Sequence, residues 1–203
     1  MLTLNQQHIA AKFFLATQQE RVYGCDWYAK AYQIASVIAT EFGLQVETVA
    51  GVISALSPNN KWERNCQDAE NLIAAYIAGG KEAAAGVKVC TYGKNKEKAI
   101  AILSCTIDQI AIILNGRKVV AFYYCISQIY SDCVVIDGHA YSIWLGERLT
   151  MKEVPSIGKK LYESIVADYV AAAAYLNSEH DLTLTGYQLQ AITWVCHKRI
   201  HGV

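Results

Sequence analysis

Leu114-Asn115-Gly116-Arg117-Lys118, the apolar segment Val119–Tyr130, then Val134-Val135-Ile136-Asp137-Gly138-His139 decide the reading of this chain. Asn115-Gly116 marks a tight turn between two apolar segments. Ile107–Leu114 before it and Val119–Tyr130 after it both read as short helices. Cys133–Ile136 has the residues of a strand but is too short to tell strand from helix. Gly138–Leu145 restarts as a helix, with Asp137 where an N-cap belongs.

Outward from this stretch the helical period continues in both directions. Asn5–Gln19 carries Ile9, Phe13 and Phe14 on one face, and Asp26 is placed to cap a helix that ends at Gly43. Val46–Leu56 is nearly all apolar, as a central buried helix requires, and stops at Ser57-Pro58. Asn60 with Glu63 has the spacing of a capping box for a helix to Ile77, which Gly79-Gly80 closes. Residues 81–92 read as a short helix and loop, Lys94–Ser104 as a helix, and Ser156–Leu176 as the longest one. Thr185 with Gln188 caps the last, which runs to Ile200. About ten helices with short connections predict one all-α unit over residues 1–203, built of two lobes.

Composition agrees with a large helical core. Of 203 residues, 53% are hydrophobic and 18% charged, and only Pro58 and Pro155 interrupt the chain, which excludes disorder. Eighteen basic residues balance eighteen acidic ones, so any anionic partner has to be held by a local patch. Two such patches are visible: Lys88, Lys94, Lys96, Lys98, Arg117 and Lys118 against Glu97 and Asp108, and a basic C-terminus with Lys198 and Arg199. Either one is equally an ordinary solvated face. Seven dispersed cysteines without a C-x-x-C pair predict buried reduced thiols of a cytosolic protein, with no disulfide framework and no zinc site. The first seven residues lack the pattern of a secretory leader, and no apolar run is long enough for a membrane span.

The order of elements resembles the helix–hairpin–helix DNA glycosylases of the endonuclease III type. In that family a Leu-Pro-Gly-x-Gly-x-Lys hairpin is followed by a Val-Asp-Thr-His motif. Ile136-Asp137-Gly138-His139 matches the second motif with threonine replaced, and the nineteen-residue step from Lys118 to Asp137 is one longer than the family's. Ile143–Leu149 resembles the helix end that follows, Val52–Ser57 the buried helix before the family's intercalating loop, and Lys96–Leu103 the helix before the hairpin. The likeness covers roughly residues 45–150, with the hairpin and catalytic region at about 110–150. Gln188–Trp194 lies outside it and looks more like phage-encoded relatives, which would act in the host cytoplasm. The hairpin lacks the Pro-Gly pair, and the cysteine cluster of endonuclease III is absent, so no iron–sulfur cofactor is expected.

The resemblance implies an enzyme that cleaves an N-glycosidic bond of a modified or damaged DNA base. Asp137 would stabilise the cationic sugar or activate water. Lys118, in an apolar pocket beside Val119 and Tyr123, would attack C1′ as a free amine. Asn115, Gly116 and Arg117 would grip a backbone phosphate. The base would enter a groove between the lobes, where Lys118 and Asp137 meet. His139 is a structural donor in the first turn or a proton carrier. In the polar segment after the oily helix, Asn59, Asn60 and Lys61 are candidates to contact a base or backbone, and Trp62 to stack. The competing readings are a cap for Asp137 and Asn60, a solvated or phosphate-contacting Lys118, and burial for Trp62 and Tyr123. Tyr23, Trp27, Tyr28 and Tyr32 share a helical spacing that predicts core. Two other function classes fit the same pattern. One is a phage hypermodification enzyme that transfers an amine onto an activated 5-hydroxymethyl pyrimidine; the other is a non-catalytic DNA-binding relative.

Overall fold

A computed structural model describes residues 2–129, 133–150 and 152–202. Its described residues form eleven helices and no strand. In chain order they are α1 (Leu4–Leu15), α2 (Gln18–Cys25), α3 (Trp27–Phe42), α4 (Val46–Leu56), α5 (Trp62–Gly86) and α6 (Gly93–Ile102). They continue with α7 (Ile107–Leu114), α8 (Arg117–Ser127), α9 (Gly138–Leu145), α10 (Lys159–His180) and α11 (Gly186–His201). The all-α class is therefore as expected. The helix read as Val119–Tyr130 runs from Arg117 to Ser127, where Gln128 takes a left-handed backbone; Tyr130 itself lies outside the described residues. Val134–Ile136 is neither helix nor strand. No single described helix is long and apolar enough to cross a membrane.

The chain divides into two compact units, Met1–Tyr28 with Tyr130–Val203 and Ala29–Ile129. The second is organised around α4. Every residue from Val49 to Leu56 is buried, because a helix apolar all round has no face to give to water. It packs against α5, α6, α7 and α8. Gly51 permits the close approach: a Cβ there would lie 2.7 Å from Ile110 Cγ2 and 3.1 Å from Ile102 Cγ2. Gly79 and Gly80 break α5 as expected, with non-helical backbone at both, and a further turn runs on to Gly86.

The first unit is organised around α11, which packs against α1, α2, α9 and α10. Leu189–Thr193, Cys196 and His197 are buried. Thr185 and Gln188 form the expected capping box. Tyr162 Oη donates to the Val134 carbonyl at 3.0 Å and accepts from Ile136 N at 3.2 Å, which satisfies the backbone leading into α9. Tyr169 Oη donates to the Ala140 carbonyl at 3.2 Å.

Five local expectations are corrected. The first helix stops at Leu15, because Thr17 and Glu20 make a capping box that starts α2. Asp26 ends α2 rather than capping α3. That break shifts the helical phase, so of the four aromatic residues only Tyr28 is buried, and Tyr23 is 46% exposed. Phe14 is also exposed. None of the cysteines forms a disulfide, yet only Cys125 and Cys196 are buried, and Cys90 is exposed.

The packing of α2 on α11 makes a stability prediction. A Cβ on Gly24 would sit 2.5 Å from Ile192 Cα, where backbone has to move. Gly24→Ala should cost about 2–3 kcal/mol, a melting-temperature fall of roughly 5–10 °C. Gly86→Ala, where a Cβ meets nothing, should be neutral or stabilising by up to about 1 kcal/mol. Thermal melts of the two variants check the contrast, and equal melts would contradict it.

Candidate functional site

Asp137 is the N-cap of α9, with extended backbone and its side chain turned onto the helix. Its Oδ1 accepts from Ala140 N at 2.8 Å. Its Oδ2 accepts from the indole Nε1–H of Trp194 on α11 at 3.2 Å. The residue is half-buried, and two donors from different helices fix the direction of its carboxylate. A carboxylate has about four acceptor sites, and these two bonds leave room for a water or substrate donor. Sequence reasoning did not find Trp194, because its partner lies 57 residues away and no local pattern encodes the pairing.

Around this pair the ring systems of α9 and α11 adjoin. The His139 ring lies 6.4 Å from Trp194 and 5.5 Å from His197, and His197 lies 4.3 Å from His201, centroid to centroid. Lys198 Nζ stands over the Trp194 ring at 4.4 Å. His139 is half-buried, whereas His197 is 3% exposed and its Nδ1 has no hydrogen-bond partner. Burial, and then the charges of His201, Lys12, His139 and Arg148, pull the His197 pKa down to about 4. His201 is lowered by burial and by Lys12, Arg148 and His139. Among the described residues no group of three His, Cys, Asp or Glu side chains is arranged to hold a metal.

The remaining expected residues belong to the other unit. Asn115 is the C-cap of α7 in the left-handed region (φ 45°), which asparagine tolerates, and Gly116 is the N-cap of α8. Arg117 and Lys118 open α8 and are exposed. The apolar pocket expected around Lys118 is therefore corrected: an exposed amine is not desolvated, which removes the basis for reading it as the nucleophile. Tyr123 is 1% exposed and belongs to the core, so its ring has no face to offer a base. Within the basic stripe, Lys96 binds the carbonyls of Ala85 and Val87, and Lys98 that of Leu114. These two lysines satisfy helix ends, while Lys88, Lys94, Arg117 and Lys118 remain exposed.

The Asn59–Trp62 segment is organised by a carboxylate that sequence reasoning passed over. Asp68 is 1% exposed and accepts from Arg64 Nε at 2.7 Å, Cys90 N at 2.7 Å and Asn60 Nδ2 at 3.1 Å. Burial opposes its charge, but the Cys90, Arg64 and Asn60 hydrogen bonds outweigh burial and hold the carboxyl below its usual range. Asn60 is thus drawn to Asp68 and caps no helix; Lys61 is the N-cap of α5, without a side-chain bond, and is exposed. Asn59 is exposed, takes a left-handed backbone (φ 60°) and donates to Tyr92 Oη at 2.8 Å. Trp62 is half-buried, its ring edge-on to Phe122 at 6.2 Å. The polar character of the segment therefore serves first to fasten the loop to α5 and to residues 90–92.

Comparison with known proteins gives a family without an activity. The model of a family of unknown function, DUF7178, matches residues 2–201, so the chain belongs to that family. No curated protein and no solved structure matches it.

The neutral burial of His197 makes the first unit acid-sensitive. A histidine whose folded pKa lies near 4 against an ordinary 6.5 contributes fully above about pH 6.5. The contribution is lost as pH falls through that window, because the unfolded chain takes up the proton first. Between pH 7.5 and 4.5 the stability should fall by on the order of 2 kcal/mol from this residue. His197→Leu should flatten that fall in denaturant titrations at the two pH values, and an unchanged pH dependence would contradict the assignment.

Proposed function

We propose that this member of a family of unknown function is a DNA base-processing enzyme that hydrolyses an N-glycosidic bond, with Asp137 as the catalytic carboxylate. The single observation that carries the reading is the double tether of Asp137, to Ala140 N and to the Trp194 indole, on a half-exposed residue. A carboxylate fixed in this way is preorganised to meet the positive charge that develops on the sugar as the base departs. The same group can orient the water that completes hydrolysis. The base has to leave its stack to reach such a group. The resemblance of Ile136–His139 to the glycosylase motif supports the assignment, and the exposure of Lys118 favours water over an amine as nucleophile.

Lys118 and Arg117, beside the Asn115-Gly116 turn at the start of α8, then act on the phosphate backbone, where cations and free helical N–H groups are favourable. His139, two residues after Asp137, is the nearest titratable ring in sequence and is open to a proton-handling part. The non-catalytic reading has one observation in its favour: both Asp137 oxygens already accept structural hydrogen bonds.

The test is incubation of the full chain with phage DNA carrying modified pyrimidines and with oligonucleotides carrying damaged bases, followed by nucleoside mass spectrometry. A released free base is the expected product, with no borohydride-trapped adduct. Lys118→Ala should weaken binding and leave the single-turnover rate of bound DNA within about threefold, as expected for a phosphate contact. A mass gain on the nucleotide would replace excision by amine transfer. Unchanged DNA with intact binding would leave only a DNA-binding relative.

A further inference from the structure

Beyond Asp137, the first unit gathers cations from three directions around one end of α11. Lys12 comes from the last turn of α1, Arg148 from the segment after α9, and Lys198 and His201 from the last turn of α11. His139 joins them from the first turn of α9. The Arg148 guanidinium donates to the His201 carbonyl at 3.4 Å. The ring series His139, His197, His201 and the Lys198–Trp194 contact tie the group together. Lys12, Arg148 and His139 all act electrostatically on both His197 and His201, so the cluster is close enough to repel itself.

Helix dipoles explain part of this arrangement. The ends of α1, α9 and α11 each carry roughly half a negative charge, about 1.5 in all. Three permanent cations, Lys12, Arg148 and Lys198, exceed that sum before any histidine is protonated. Of the carboxylates in this unit, Glu20 is paired with Arg199 at 2.6 Å and Glu147 is exposed, while Asp137 keeps its charge although the Trp194 indole binds it, which leaves the three cations in small excess. None of the five cluster side chains is fully buried, so an anion can reach them.

We propose that Lys12, His139, Arg148, Lys198 and His201 form a phosphate-ester site, occupied by a nucleic-acid phosphodiester next to the nucleotide on which Asp137 acts. A phosphate group has the charge and the several acceptor oxygens that a guanidinium, two ammonium groups and imidazole N–H groups address. Trp194 links the two functions, since its N–H holds Asp137 while Lys198 covers its ring. The nucleic-acid identity of the ester rests on the base-processing reading; the excess of cations does not.

Fluorescence anisotropy of the full chain with labelled single-stranded and duplex oligonucleotides, in low and moderate salt, tests the site. Lys12→Gln with Arg148→Gln should weaken binding about tenfold in low salt and reduce the salt slope by about two, while Lys159→Gln on α10 changes neither. In the unaltered protein, inorganic phosphate and thymidine 5′-monophosphate should move the Cε1–H resonances of His139 and His201, which needs no variant to fold. Unchanged affinity together with unmoved resonances would overturn the site. Moved resonances without any oligonucleotide binding would overturn the phosphodiester assignment. A chain that binds through this cluster but processes no base would sink the proposed function and leave this inference standing.

Discussion

The Asp137 carboxylate joins two helices through a partner 57 residues away in the chain, and the first unit is arranged around that join. One oxygen caps α9 and the other takes the Trp194 N–H from α11. A cap of this kind contributes about 1 kcal/mol, and a hydrogen bond to a charged group about 1.5–3 kcal/mol. The residues before Asp137 are fixed in turn, because Tyr162 satisfies both the Val134 carbonyl and the Ile136 N–H. At the other end of α9, Asp168 receives the Trp144 indole and the Gln6 amide, each at 2.7 Å. Aspartates on either side thus hold α9 by indole N–H groups, and its position follows from polar geometry as much as from apolar packing.

The second unit uses the same device around Asp68. Its apolar core, α4 and the helices on it, needs no polar help, but the loop that leaves α4 does. Pro58 ends the helix, and the polar Asn59–Lys61 stretch has few apolar atoms to bury. Asp68 collects donors from Asn60, Arg64 and the Cys90 backbone, which makes the loop part of the scaffold. Nearby, the side-chain oxygens of Asn60 and Asn65 are buried without a partner, and Asn65 Nδ2 binds the Ile53 carbonyl at 3.0 Å. Buried acceptors of this type are the ordinary seat of an internal water.

What was legible in the sequence was local. The bounds of α4, α7 and α9 could be read from an apolar run ended by Ser57-Pro58, from the Asn115-Gly116 turn, and from Asp137 and Gly146. The Thr185–Gln188 box that opens α11 was equally visible. The Thr17–Glu20 box carries the same signal, but the apolar spacing of α1 continues past it and masks it. Asn60 had the chemistry of a cap, but Asp68 offered its amide a charged acceptor, and that tertiary bond won. Trp194 and Asp68 were hidden for a common reason: each is defined by partners far along the chain, which spacing does not report. Exposure was likewise out of reach, and it separates Lys118, open to water, from Tyr123, closed in the core.

Whether Asp137 serves chemistry as well as architecture is decided by Asp137→Asn, assayed for single-turnover base release and thermal stability on one preparation. Asparagine has one oxygen for two donors, so it keeps either the cap or the indole bond, and stability should fall by about 1–3 kcal/mol while the chain stays folded. It carries no charge to balance a sugar cation, so turnover should fall by roughly 10²–10³. A folded Asp137→Asn protein with full activity would contradict the account.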